Sequence, residues 1–386
     1  MSWSTVRADQ FCTLITDGTH DSPKPQQSGW KLITSKHLKG HYIDFDSANW
    51  ISEADYLKVI SRSAVEQWDI LFSMIGTIGN IYLEKNPHVE YACKNMGIFK
   101  FSGNKENALW MYYYLKSPQA KAYIQTHLRG STQAYVPLGG LREMPVPVPP
   151  QSVRNEIIAV LRPIDEKIEC NNAINDNLQQ QAAALFSSLY DQSNTEVRFT
   201  DLIQILGGGT PKTGENSYWN GNIAFFTPKD VGIPYTLITE KTISKEGLSH
   251  CNSRLYPVNT VFVTARGTVG KVGMSGVPMA MNQSCYALVG KETHQLLVYF
   301  YTLKAVDRLK HKASGAVFDA ITTRDFESEQ IMKLSDDDAT AFLRVAEPMF
   351  QEVLNNNIEN LRLSTLRDSL LPKLMSGEID VSAVLL

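Results

Sequence analysis

Residues 157–189 read IIAVLRPIDEKIECNNAINDNLQQQAAALFSSL, and residues 342–374, 185 positions further along, read FLRVAEPMFQEVLNNNIENLRLSTLRDSLLPKL. In both stretches, steps of four and three residues select a mostly apolar series, as on a helix face that packs against another helix. The first series is Ile157, Leu161, Ile164, Ile168, Asn171, Asn175, Leu178, Ala182, Leu185 and Leu189. The second series is Phe342, Ala346, Met349, Val353, Asn356, Asn360, Leu363, Arg367, Leu370 and Leu374. Each stretch predicts a helix of roughly 35 residues, or about 50 Å, that needs a partner of similar length.

Asparagines interrupt both apolar series at matching positions. If the two helices pair antiparallel and cross at their midpoints, Asn171 lies near Asn360 and Asn175 lies near Asn356. Buried polar residues at such positions cost stability but fix the register of the pair. The sequence therefore predicts an antiparallel coiled coil whose register these four asparagines set. The alternative is that each helix packs only along its neighbouring domain.

The rest of the chain also occurs twice, with an offset that drifts between 185 and 193 residues. The matching elements are Gly76-Thr77-Ile78-Gly79 with Gly267-Thr268-Val269-Gly270, Asp17-Gly18-Thr19 with Gly208-Gly209-Thr210, and residues 30–36 with residues 223–229. Short β-rich runs bounded by Gly, Pro, Asn and Asp indicate domains with many short strands. The proline-rich residues 144–150 favour an extended connector.

We therefore predict an α+β fold with an internal pseudo-two-fold, in which two α/β domains alternate with two long helices. The predicted boundaries are residues 1–144 for the first domain, 145–194 for the connector and first helix, 195–333 for the second domain, and 334–386 for the second helix and the C-terminal tail.

Charge is distributed unevenly over these segments. The whole chain has a formal net charge of −3, but the two domains carry +2 and +3 and the two helical segments carry −3 and −5. Because phosphate contacts need Lys and Arg, a polyanion is expected on the domains. Solvated helix faces would also explain this mild asymmetry.

The sequence lacks the motifs of several enzyme classes. It has neither the Asn/Asp-Pro-Pro-aromatic tetrapeptide of adenine methyltransferases nor an H-E-x-x-H metal motif, and Gly207–Gly214 lacks the spacing of a phosphate-binding loop. No run of 18 apolar residues is present, and the five cysteines are scattered. We expect a cytoplasmic, non-catalytic protein that holds no metal or cofactor.

The candidate binding residues lie in repeated loops that combine a cation with short hydrogen-bonding side chains. Such loops suit phosphate anchors beside residues that contact base edges. The Gly-Thr-x-Gly elements could equally be structural hairpins used twice. The candidates are Lys36, Thr77, Asn80, Arg129, Ser131, Gln133, Lys229, Arg266, Thr268, Lys271, Lys312 and Ser314.

The C-terminal helical segment resembles a known family. Residues 366–379 read LRDSLLPKLMSGEI, residues 181–189 contain a weaker copy, QAAALFSSL, and residues 146–150 read VPVPP. Together with the two Gly-Thr-x-Gly turns, these segments resemble the specificity subunit of Type I restriction–modification systems. The resemblance covers essentially the whole length.

The resemblance implies a DNA-binding subunit that performs no chemistry. Each domain would be a target-recognition domain for one half of a split sequence in double-stranded DNA, and the helices would set the gap. The helices would also recruit two modification subunits, which carry S-adenosylmethionine, and the assembly would add restriction subunits that use ATP. No membrane partner is expected, because the sequence has no run of 18 apolar residues.

Two other interpretations remain open at this point. One is a methyltransferase or nuclease with unrecognised motifs, and the other is a two-domain coiled-coil adaptor that does not bind DNA. Arg367 departs from the apolar series, and it would either pair with a partner subunit or lie at a solvated edge.

Overall fold

The computed structural model describes residues 3–40, 42–232, 234–312 and 320–381. Their contacts divide the chain into two units. The first unit comprises Met1–Glu169 and Leu363–Leu386, and the second comprises Cys170–Arg362. Each long helix therefore contributes one part to each unit.

The first unit contains three small sheets. Its strands are β1 (Ser4–Arg7), β2 (Leu14–Asp17), β3 (Trp30–Ile33), β4 (Asn49–Ile51), β5 (Ile70–Ser73), β6 (Ile81–Leu83), β7 (Tyr91–Cys93), β8 (Met96–Lys100) and β9 (Pro145–Val148). They form an antiparallel sheet in the order β2-β8-β5-β6, a sheet in the order β4-β3-β7, and the ribbon β1-β9. Its helices are α1 (Ala8–Phe11), α2 (Glu53–Ser63), α3 (Lys105–Lys116), α4 (Pro118–Thr126), α5 (Leu138–Glu143) and the first half of α6 (Gln151–Gln192).

The second unit repeats this topology. Its strands are β10 (Thr195–Arg198), β11 (Ile203–Gly207), β12 (Trp219–Phe226), β13 (Tyr235–Thr236), β14 (Lys241–Ile243), β15 (Val261–Thr264), β16 (Val272–Ser275), β17 (Met279–Met281), β18 (Cys285–Gly290) and β19 (Gln330–Lys333). The sheet orders are β11-β18-β15-β16-β13, β14-β12-β17 and β10-β19. The helices are α7 (Phe199–Leu202), α8 (Lys245–Ser249), α9 (Gln295–Lys312), α10 (Thr323–Glu327) and α11 (Asp336–Ser376). The predicted α+β class with its internal repeat is confirmed, and β13 is the strand that the second unit adds.

The core of the first unit is closed by both long helices. All residues of α3 from Ala108 to Leu115 are buried, because this helix is apolar around its whole circumference and lies inside the unit. Ile157 and Leu161 of α6 join the same core, as do Leu374 and Met375 of α11. The C-terminal turns of α11 are therefore part of the first domain's interior.

The second unit is closed by the other two helix halves. Ala182 and Phe186 from the end of α6 share its core with Phe342 and Phe350 from the start of α11. The rings of Phe186 and Phe342 meet edge to face, with centroids 5.5 Å apart. The repeat thus extends to the way in which the helices complete each core.

The four asparagines meet in the second unit. The amide of Asn171 donates to Asn360 Oδ1 at 2.9 Å, and that of Asn356 donates to Asn175 Oδ1 at 2.9 Å. Asn171, Asn175 and Asn356 are almost fully buried. The helices therefore run antiparallel here, with each buried amide opposite another amide.

Arg367 corrects one expectation, since it lies neither at a solvated edge nor free for a partner. Within the first unit, its guanidinium donates to Asp165 Oδ1 at 2.7 Å, and Lys116 Nζ lies 3.2 Å from Asp165 Oδ2. Burial opposes ionisation of Asp165, but Lys116 and Arg367 outweigh it and hold the pKa of this carboxyl below its usual value. The Asp165 carboxylate therefore stabilises the positive charge of Arg367 at its largely buried position.

Candidate nucleic-acid interface

Four strands of the first unit end at one edge. Strands β3 and β7 are parallel, so their carboxyl ends lie together. The loops that follow are joined by backbone hydrogen bonds from Lys94 N to Ile33 O and from Thr19 N to Cys93 O, both 2.9 Å. The turn after β5 joins them through Thr77, whose hydroxyl donates to Ser35 O at 3.3 Å. We call the loops after β2, β3, β5 and β7 the first loop edge.

The second unit builds the same arrangement with equivalent bonds. Asn282 N donates to Phe226 O at 3.0 Å, and Gly209 N donates to Met281 O at 3.1 Å. The Thr268 hydroxyl donates to Pro228 O at 3.1 Å. The loops after β11, β12, β15 and β17 are the second loop edge. Two units with different sequences thus place the same four loops by the same contacts.

A capped turn presents a lysine in each loop edge. In the first unit, Thr34 N donates to His37 Nδ1 at 2.9 Å, and Lys36 lies exposed between them. In the second unit, Thr227 N donates to Asp230 Oδ2 at 2.8 Å, and the side chain of Lys229 is 80% exposed. Lys229 Nζ also lies 3.5 Å from Glu240.

Burial, reinforced by the charge of Lys36, lowers the pKa of His37. The neutral imidazole is also the form whose Nδ1 can accept the cap hydrogen bond.

The Gly-Thr-x-Gly turns lie beside these lysines. Gly76 and Gly79 have φ of 78° and 87°, and Gly267 and Gly270 have φ of 81° and 73°, so both turns need the left-handed region that glycine adopts without strain. The Thr77 and Thr268 hydroxyls are engaged by carbonyls of the lysine turns. These threonines therefore hold the lysine turns in place.

The structure also locates the other candidates. Arg129, Ser131 and Gln133 are exposed in a loop closed by reciprocal 2.9 Å backbone bonds between Arg129 and Tyr135. Val136 N donates to Met74 O, which joins that loop to the end of β5. The remaining candidates, Asn80, Arg266 and Lys271, are exposed in the Gly-Thr-x-Gly turns or directly beside them.

Two candidates of the second unit are less simply placed. Lys312 Nζ lies 2.5 Å from the carboxylate of Glu329, which is 1% exposed, so its charge is already paired. Ser314 lies outside the described residues.

The alignment of the two halves of the chain by sequence is wrong in one pair of loops, and it does not predict two side-chain pairs that the structure contains. Strand pairing sets Asp17 opposite Gly97 and Gly207 opposite Tyr286, so Thr210 is equivalent to His20 and not to Thr19. At these positions His20 Nδ1 lies 2.8 Å from Asn95 Oδ1, and the Thr210 hydroxyl donates to Gln283 Oε1. The signal in the sequence was weak, because the partners lie 75 and 73 positions apart.

Two features are absent from the part of the chain that the structure describes. It contains no group of three or more His, Cys, Asp or Glu side chains that could hold a metal ion. None of its described helices is both long and apolar enough to cross a membrane.

Comparison with known proteins identifies the family. Residues 3–180 and 192–333 match the family described as the Type I restriction modification DNA specificity domain. The chain therefore belongs to the specificity subunits of Type I restriction–modification systems, which are non-catalytic.

Individual relatives are distant but extend over much of the chain. The HindI specificity subunit of Haemophilus influenzae is 22% identical, over 85% of this chain and 90% of its own. The EcoR124I/EcoR124II specificity subunit of Escherichia coli is 26% identical over 51% of each chain. The crystal structure of the S subunit from M. genitalium superposes with a TM-score of 0.57 at 14% identity, covering 97% of this chain and 96% of that one. At that identity the likeness concerns the fold alone.

Proposed function

We propose that this chain selects the DNA sequence on which a Type I restriction–modification complex acts. Each domain binds one half of a bipartite double-stranded target through its loop edge. The observation that carries the proposal is the duplicated loop edge, which the same hydrogen bonds build in two units whose side chains differ. A common scaffold with different side chains suits two domains that recognise different sequences.

The loop edges offer the two kinds of contact that DNA binding needs. Lys36 and Lys229 are exposed on capped turns and serve as phosphate anchors, which position a protein on DNA. The other proposed contacts are Thr77, Asn80, Arg129, Ser131, Gln133, Arg266, Thr268, Lys271, Lys312 and Ser314. The Thr77 and Thr268 hydroxyls contribute by holding the anchors.

The paired helices set the distance between the half-sites and dock two modification subunits. Those subunits supply S-adenosylmethionine, and restriction subunits supply ATP-driven chemistry, in the cytoplasm. The buried asparagine pairs support a fixed register, since a slip along the helices would set amides against apolar side chains.

Selection from a random duplex library tests the proposal, with the chain assembled with its modification subunits. We expect two short motifs separated by a constant gap. Binding that is independent of sequence, or absent at low salt, would refute the proposal and favour an adaptor.

Salt titration tests the anchors separately. Lys36→Ala and Lys229→Ala should each reduce the slope of log affinity against log salt by about 1, because each removes one phosphate contact. Lys291→Ala is the matched control. Lys291 follows β18, which runs antiparallel to β15, so it lies at the opposite end of the sheet. An equal effect of all three substitutions would contradict the assignment.

A further inference from the structure

A side-chain amide occupies the same place in both loop edges. Lys94 and Asn282 are equivalent, because each donates its backbone N–H to the last residue of the parallel neighbouring strand. Asn95 and Gln283 follow them directly. The two units therefore carry an amide side chain at one equivalent position, although the amide differs in length by one methylene.

Each amide is oriented by its oxygen. In the first unit, Asn95 Oδ1 lies 2.8 Å from His20 Nδ1, and the other ring nitrogen of His20 lies 2.9 Å from Asp17 Oδ2. In the second unit, Gln283 Oε1 accepts from the Thr210 hydroxyl. His20 and Thr210 are also equivalent positions. The two units therefore hold the amide oxygen in the same way with different side chains.

The arrangement leaves a donor group directed away from the holding residue. Among the described residues, the side-chain hydrogen bonds of Asn95 and Gln283 are made by their oxygens, and neither Asn95 Nδ2 nor Gln283 Nε2 has a partner. The Asn95 side chain is half-buried and that of Gln283 is exposed. Asn95 also has a φ of 54°, in the left-handed region that asparagine adopts more readily than most residues with a side chain.

The backbone around each pair is fixed. A Cβ on Gly18 would lie 2.3 Å from Cys93 O, and one on Gly208 would lie 2.2 Å from Asn282 O. The loops after β2 and β11 therefore need glycine at these two positions. The close approach brings His20 to Asn95 and Thr210 to Gln283. A rigid scaffold that holds an exposed amide is what base-specific hydrogen bonding requires.

We propose that Asn95 and Gln283 are matched base-reading residues, one for each half-site, and that His20 and Thr210 are their positioning residues. Each amide NH₂ donates to an acceptor on a base edge in the major groove, where purine N7, guanine O6 and thymine O4 are the acceptors. The assignment rests on the proposed function and names the residues through which each domain distinguishes base pairs.

Base preference is the quantity that tests this assignment. In the assembled complex, Asn95→Gly accommodates the positive φ and removes the amide. It should reduce discrimination at one position of one half-site by about tenfold or more, with the other half-site unchanged. Gln283→Ala should do the same in the other half-site. His88→Ala is the control, because His88 precedes β7 and lies at the opposite end of that strand from Asn95.

The positioning role has its own readout. Thr210→Val removes the hydroxyl that holds Gln283, whereas Thr210→Ser retains it. We expect Thr210→Val to broaden the same base position as Gln283→Ala and Thr210→Ser to restore the wild-type preference. If both variants behave alike, the positioning role is wrong.

The failures are distinguishable. A wild-type complex without sequence preference would overturn the proposed function and this assignment together. A wild-type bipartite motif that Asn95→Gly and Gln283→Ala leave unchanged would overturn the assignment alone. A uniform loss of affinity with the same base preferences would also overturn it, since that result describes a phosphate contact.

Discussion

Replacing the buried charges of the first unit by the apolar cluster of the second should preserve its stability, although removing any one charge should not. Asp165 lies 2.7 Å from Arg367 and 3.2 Å from Lys116, and the three side chains are 11%, 18% and 23% exposed. Within the long helices, where the offset is 185, Asp165 and Arg367 correspond to Phe350 and Ala182, both buried in the second core. The edge-to-face pair Tyr112–Tyr113 of α3 corresponds to Tyr299–Phe300 of α9, so Lys116 corresponds to Leu303. The repeat therefore contains one site in a charged form and in an apolar form.

The magnitudes follow from which charges remain. Arg367→Ala removes one charge-assisted bond but leaves Asp165 paired with Lys116, so we expect a loss of about 2–3 kcal/mol. Asp165→Ala leaves two buried cations without their carboxylate and should cost about 3–5 kcal/mol. The triple substitution Lys116→Leu, Asp165→Phe and Arg367→Ala should lie within about 1 kcal/mol of wild type or above it, because an apolar cluster replaces the ion pairs.

Tryptophan fluorescence can follow the first unit alone. Five of the six tryptophans, Trp3, Trp30, Trp50, Trp68 and Trp110, lie in the first unit, and Trp219 lies in the second. Urea denaturation in a Trp219→Phe background therefore reports the first unit. The reasoning is refuted if Arg367→Ala costs as much as Asp165→Ala, or if the triple variant is less stable than Asp165→Ala.

Three further predictions concern the helix register and the loop edges. Replacing Asn171, Asn175, Asn356 and Asn360 by leucine should raise the midpoint of thermal unfolding but allow slipped registers of the two helices. A single gap between the two half-sites bound by the variant would contradict this. Thr77→Val and Thr268→Val should weaken DNA binding several-fold without altering base preference, because each frees a lysine turn; unchanged affinity in a titration would contradict this. Burial lowers the pKa of His37 in the folded chain, so the unfolded chain binds the proton more readily and the first unit should lose stability as the pH falls below about 6.5. The substitution His37→Asp introduces the residue found at the equivalent position of the second unit, Asp230, and should abolish that loss above about pH 5. Denaturation at several pH values would reveal the difference.

The helices were predictable because their information is local. A series of apolar residues at steps of four and three specifies a helix face, and the matching asparagines specified antiparallel pairs that the structure contains. Arg367 was misjudged for the same reason. Its partner Asp165 lies outside the apolar series and 202 positions away, so the apolar pattern could not predict this ion pair.

The loop edges were predictable only in part. The Gly-Thr-x-Gly turns were visible as a repeat, but the bond from Thr77 to Ser35 spans 42 positions and depends on where β3 and β5 end. The pairing of His20 with Asn95 required the register of the strands, and an alignment by sequence alone was one residue wrong at this loop. Insertions of single residues between strands are enough to hide such equivalences.

The division of the helices between the units has a consequence for synthesis. The second unit is one continuous segment, Cys170–Arg362, and can assemble its core from residues synthesised before residue 363. The first unit cannot, since Leu371, Leu374 and Met375 belong to its interior and are made more than 200 residues after its last strand, β9. The domain that is synthesised first therefore receives its last core residues after all core residues of the second domain, and a chain interrupted before Leu371 lacks part of the first domain's core.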